Sequence, residues 1–97
     1  MSGTRVGTDL AAQVYAVVAG LAEGELVTYG EVASEIGRPG AARAVGTAMR
    51  TCPAGLAWWR VVPASGRLHA GLAARQAPLL QAEGVVVVDG RIRPGDR

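Results

Sequence analysis

TYGEVASEIGRPGAARAVGTAMRTCPAGLAWWRVV, residues 28–62, decides the fold. The stretch reads as two short helices, about Gly30 to Ile36 and Ala41 to Arg50, followed by a buried Trp-rich segment. A Gly-Arg-Pro-Gly turn joins the helices, the sequence form of a helix-turn-helix, whose second helix can enter a DNA groove. Apart from Arg43, the body of that second helix is small or apolar: Ala41, Ala42, Ala44, Val45, Gly46, Thr47 and Ala48. Small residues let a helix backbone approach a partner closely but carry few groups that distinguish one base from another. The pattern therefore predicts docking by shape and charge.

Outward from this stretch, Thr8 or Asp9 can cap a first helix reaching about Ala22. Its apolar residues Leu10, Val14, Val17, Val18 and Leu21 share one helical face, with Tyr15 at the rim of that stripe. Gly24 is the expected stop. On the other side, Pro63-Ala64-Ser65-Gly66 is a turn cluster. Leu72 to Glu83 has helical character, with Leu72, Leu79 and Leu80 as core candidates and Gly84 as terminator. Pro78 removes a backbone donor, so the helix proper is expected to begin near Gln76 or Ala77, with Pro78 in its first turn. Val85–Val88, Asp89-Gly90 and Arg91–Arg93 carry a hairpin signal. The expectation is mainly α: one winged-helix-like helix-turn-helix domain over residues 1–97 with a short C-terminal β-hairpin. Its ends, about 1–7 and 94–97, are expected to be loose.

Ninety-seven residues with 49% hydrophobic content support one folded core. No apolar run approaches the roughly 20 residues that span a bilayer, and no signal peptide is apparent, so a cytoplasmic location without membrane contact is expected. The net charge is +2, and all ten basic residues are Arg, a composition that codon bias alone would produce. It lends a nucleic-acid partner only weak support. One Cys, Cys52, and one His, His69, exclude an internal disulfide and a four-ligand Cys/His zinc site. No metal or cofactor is expected.

Five residues invite a functional reading. Trp58 and Trp59, followed by Arg60, hold half of the four aromatic residues. They are either core area or a flat wall for an extruded base. Tyr29, at a helix start, can pack its ring or offer its hydroxyl to a phosphate. Arg43 is a solvated surface Arg or a side chain that fills the gap left by an extruded nucleotide. Cys52 has no nearby His or acid in sequence to lower its pKa and reads as inert.

Taken together, Tyr29-Gly30, Pro39, Ala42-Arg43-Ala44-Val45-Gly46, Arg60-Val61-Val62, Ser65-Gly66 and Leu79-Leu80…Glu83-Gly84 resemble the DNA-binding domain of O6-alkylguanine-DNA alkyltransferases. The resemblance runs from roughly Leu10 to Val86. The segment before Arg60-Val61 is Pro-Cys-His in true alkyltransferases and Ala57-Trp58-Trp59 here. A Trp in place of the acceptor Cys is similar to the alkyltransferase-like proteins, which bind O6-alkylguanine and transfer nothing.

The resemblance implies no catalytic residue. It implies minor-groove docking and nucleotide flipping by Thr28, Tyr29, Ala42, Arg43 and Gly46. Tyr29 would press on the target phosphate, and Arg43 would replace the flipped guanine. It also implies a lesion pocket of Trp58, Trp59, Arg60, Val61, Glu83 and Arg67, with Arg60 and Glu83 as its hydrogen-bonding framework. The implied partners are duplex DNA containing O6-alkylguanine and the damage-recognition proteins of nucleotide excision repair. The implied state is a monomer, nucleoid-associated when bound.

The sequence departs from the family pattern at four places. Trp59 replaces the usual His, and Cys52 replaces an Asn. The Pro53–Trp58 loop is about two residues short. Gly71 stands where a Tyr or Arg often approaches the base, with Arg67 or His69 as stand-ins. Three rival readings follow: a general helix-turn-helix DNA-binding protein without lesion specificity, an alkyltransferase using Cys52, or a degenerate relative that keeps the fold for protein contacts only.

Overall fold

The computed structural model describes residues 9–93, and the expectations for the two ends lie outside them. The order is α1 (Leu10–Ala19), β1 (Val27–Thr28), α2 (Tyr29–Glu35), α3 (Ala42–Arg50), a 3₁₀ turn (Trp58–Arg60), β2 (Val61–Val62), α4 (Ala73–Ala82), β3 (Val87–Val88) and β4 (Arg91–Ile92). Among the described residues no helix is long and apolar enough to cross a membrane.

Local chemistry fixes most boundaries. The Asp9 carboxylate accepts from the Ala11 N–H at 3.1 Å and caps α1. Thr28 and Glu31 form a reciprocal capping box on α2: Thr28 Oγ1 accepts the Glu31 N–H, and Glu31 Oε1 accepts the Thr28 N–H. Two helices end alike. Gly37 (φ 78°) lets the Arg38 N–H reach the Ala33 carbonyl after α2. Gly84 (φ 91°) lets the Val85 N–H reach the Leu80 carbonyl after α4. Both are glycine-dependent caps that satisfy carbonyls of the last turn.

Three expectations need correction. Helix α1 ends at Ala19, about one turn before Ala22, because the Gly20 and Leu21 N–H groups bond back to Val17 and Val18 and close the helix. Helix α4 begins at Ala73, so Pro78 lies inside it. The Ala73 N–H bonds the His69 carbonyl, and the Gln76 N–H the Leu72 carbonyl, which starts the helix early. Pro78 and Ala74 are both exposed, so the Ala74 carbonyl that loses its i+4 donor faces water. Leu79 is 37% exposed and Leu80 fully buried, so only the latter is core.

The core has two clusters. Val14, Val18, Val32, Ala33, Val45, Ala48 and Val61 join α1, α2, α3 and β2. Val62, Leu68, Leu80 and Val87 form the second, with Trp59 packed against it. Adjacent strand residues face opposite ways, so β2 contributes Val61 to one cluster and Val62 to the other. Tyr15 ties α1 to the end of α3, its hydroxyl donating to the Ala48 carbonyl at 2.7 Å.

Strand β2 also pairs in parallel with β1, Val27 opposite Val61 and Thr28 opposite Val62. This pairing brings the start of α2 beside the segment that carries the tryptophans. The hairpin β3–β4 is antiparallel, with Asp89 and Gly90 both at positive φ, as a two-residue turn matching the strand twist requires.

Candidate nucleic-acid interface

Helix α3 buries Val45 and Ala48 and exposes Arg43, Thr47 and Arg50, which recur on one helical face. A Cβ added at Gly46 would meet no atom within 4 Å. Nothing inside the described chain therefore demands a glycine there, and the outward face of α3 stays low enough for a close approach from outside.

An open groove of about 1160 Å³ runs beside this face. Tyr29, Ala42, Arg43, Gly46, Trp58 and Trp59 line it, together with the Cys52–Leu56 loop, His69, Gly71 and Arg75. Tyr29 is half-buried, its ring tilted 38° to that of His69 at 5.8 Å between centroids. Burial pushes its hydroxyl above the ordinary 10.0, so the phenol stays a neutral donor. The Cys52 thiol is likewise raised by burial, away from the thiolate that nucleophilic attack needs.

The tryptophans are held differently. Trp58 meets Trp59 edge to face, 6.1 Å between centroids at 84°. The Trp59 ring both lines the groove and packs on the second core cluster. Its Nε1–H donates to Glu83 Oε2 at 2.8 Å, and its carbonyl accepts from the buried Gln76 side chain at 3.0 Å. Arg60 closes the framework. Its Nε and Nη2 donate to the Glu83 carboxylate at 2.9 and 2.7 Å, and its Nη1 donates to the Leu21 carbonyl at 2.8 Å. The Gly24 N–H adds another bond to Glu83 at 2.8 Å. The Arg60 hydrogen bonds above all, with the Gly24 and Trp59 donors, hold the Glu83 carboxyl at about 2 against the opposing effect of burial.

The structure thus gathers Tyr29, Ala42, Arg43, Gly46, Trp58 and Trp59 along one groove, and the other anticipated site residues lie elsewhere. Arg60 and Glu83 sit behind Trp59 as its support. Val61 is 1% exposed and belongs to the core. Arg67 bridges to Arg91 against the hairpin. Thr28 caps α2, which the Thr-x-x-Glu spacing of residues 28–31 signals. Arg50, Leu72 and Arg75 also line the groove. Nothing in the local sequence marks Arg75, which α4 brings over Trp58. Among the described residues no three His, Cys, Asp or Glu side chains group as metal ligands.

Residues 9–85 match the family model of the 6-O-methylguanine DNA methyltransferase DNA-binding domain. The chain belongs to this family. Within the alkylguanine methyltransferase family, one relative is a DNA base-flipping protein of Vibrio parahaemolyticus, 40% identical over 79 residues, 77% of this chain and 79% of that protein. The methylated-DNA–protein-cysteine methyltransferase of Mycobacterium bovis is 41% identical over 81 residues, 79% of this chain. The match spans 49% of that enzyme, about half its length. Among solved structures, S. pombe Atl1 in complex with damaged DNA containing O6-carboxymethylguanine superposes with a TM-score of 0.80 at 29% identity, covering 91% of this chain and 90% of Atl1. The alkyltransferase-like fold, helix-turn-helix with a C-terminal hairpin, is thus shared with DNA-bound relatives.

Proposed function

We propose that this chain is a non-enzymatic reader of O6-alkylguanine in DNA. In this reading α3 docks in the minor groove, Tyr29 presses on the target phosphate, and Arg43 fills the stack. The extruded base enters the groove against Trp58. The observation that carries the reading is the position of Trp58 in one groove with Tyr29 and Arg43. An indole is neither nucleophile nor useful base, so position 58 can bind an alkyl group but cannot accept it. The raised Cys52 thiol argues against an acceptor at that residue. Relatives named for base flipping and for binding damaged DNA support the same assignment.

Discrimination would come from two sources. Extrusion costs a few kcal/mol and less for a poorly paired base. Stacking on Trp58 contributes on the order of 1–3 kcal/mol, and each buried alkyl carbon roughly 0.8 kcal/mol. Preference should therefore be modest for methyl and larger for bulkier groups. A reader without chemistry must recruit it, and the fitting partners are damage-recognition proteins of nucleotide excision repair. We assign the protein to the cytoplasm as a monomer, with the nucleoid as its bound location.

Arg43→Ala tests the docking half of this reading. Affinity for unmodified and O6-alkylguanine duplexes should fall alike, by roughly tenfold, in fluorescence anisotropy titrations at fixed salt. Undiminished binding to both duplexes would remove Arg43 from the interface.

A further inference from the structure

We propose that Arg75 sets the preference of the groove among O6-substituted guanines, selecting adducts whose alkyl chain ends in an anionic group. This rests on the reading of the groove as a lesion pocket. The Arg75 guanidinium carbon lies 5.3 Å from the Trp58 ring centroid. A guanidinium stacked on an indole keeps its edge N–H donors free for a planar anion. Arg75 is exposed, and the one ion pair among the described residues is Arg60–Glu83, so no neighbouring carboxylate neutralises it. The groove lining as a whole contains Arg43, Arg50 and Arg75 and not one Asp or Glu.

The three cations are not equivalent. Arg43 and Arg50 lie on α3, the face offered to a duplex. Arg75 projects from α4 over the aromatic wall. On that wall Gly71 supplies no side chain, and His69 is engaged with Tyr29. Arg75 is therefore the charged group placed to meet the far end of an alkyl substituent lying along Trp58. A carboxylate there would accept a charge-assisted, bidentate pair, whereas a neutral amide of the same shape would not.

The same guanidinium chemistry would serve a backbone phosphate, so the test separates the two anions. Matched duplexes carry guanine, O6-methylguanine, O6-carboxymethylguanine or its neutral amide, O6-carbamoylmethylguanine. Wild type should bind the acid about tenfold more tightly than the amide. Arg75→Gln should bring that ratio close to one, and Arg75→Lys should retain part of it, keeping the charge without the planar stack. An equal loss on acid and amide would identify a phosphate contact and overturn the proposal, as would a wild-type ratio of one. Preference for the methyl and amide adducts over guanine without an acid advantage overturns only the role of Arg75. Equal binding to all four duplexes overturns the lesion pocket as well.

Discussion

Glu83→Gln should lower the melting temperature at pH 7 by on the order of 10 °C. The carboxylate receives N–H donors from Arg60, Trp59 and Gly24, and its side chain is only 9% exposed. A neutral amide cannot satisfy that set, and the Arg60 guanidinium, 14% exposed, would be left without its counter-charge. The effect depends on pH in a defined direction. The unfolded chain takes up this proton near the usual 4.5, the folded chain only near about 2. Between those values the unfolded state binds more protons, so acid favours it. The contribution of Glu83 is complete above about pH 4.5 and is lost as pH falls toward 2. Melting curves of wild type and variant should therefore converge over that range, and a gap that stays constant down to pH 2.5 would refute the assignment.

Trp58→Ala should produce the largest change in binding, concentrated on the lesion duplex. Trp58 supplies the groove's aromatic face, and its truncation removes the stacking surface for a base together with the platform under Arg75. Loss of one base–aromatic stack corresponds to about 1–3 kcal/mol, enough to erase most of the preference for an O6-alkylguanine over guanine. Affinity for the unmodified duplex should fall far less, because the α3 face is untouched. Equal losses on both duplexes, measured by competition, would place Trp58 outside the pocket.

The helix-turn-helix was legible because its signals are local. The Gly-Arg-Pro-Gly turn, Gly84 after α4 and Asp89-Gly90 in the hairpin act on the backbone where they stand. Residues that tertiary pairing places were harder to read. The β1–β2 bridge is two residues long on each strand, too short for any periodic pattern. Yet it sets Tyr29 beside the Trp58–Arg60 turn. Pro78 misled because its cost depends on whether the Ala74 carbonyl is buried, and exposure of both residues lets the helix continue through it. Trp59 could not be assigned to pocket or core from sequence because its ring serves both, with the indole N–H turned to Glu83. Of the two residues that follow the tryptophans, Arg60 has the framework pairing with Glu83 that the resemblance implies, whereas Val61 belongs to the core and not to the pocket.

The central claim is recognition without transfer. Its most direct measurement is competitive binding, at stated salt, to matched duplexes containing guanine, O6-methylguanine or a bulkier O6-alkylguanine. Mass analysis of the recovered DNA and protein follows. Tighter binding to the lesions, increasing with alkyl size, with every alkyl group still on the DNA, is the expected result. Equal binding to all three duplexes, or alkyl mass appearing on the protein, would contradict it.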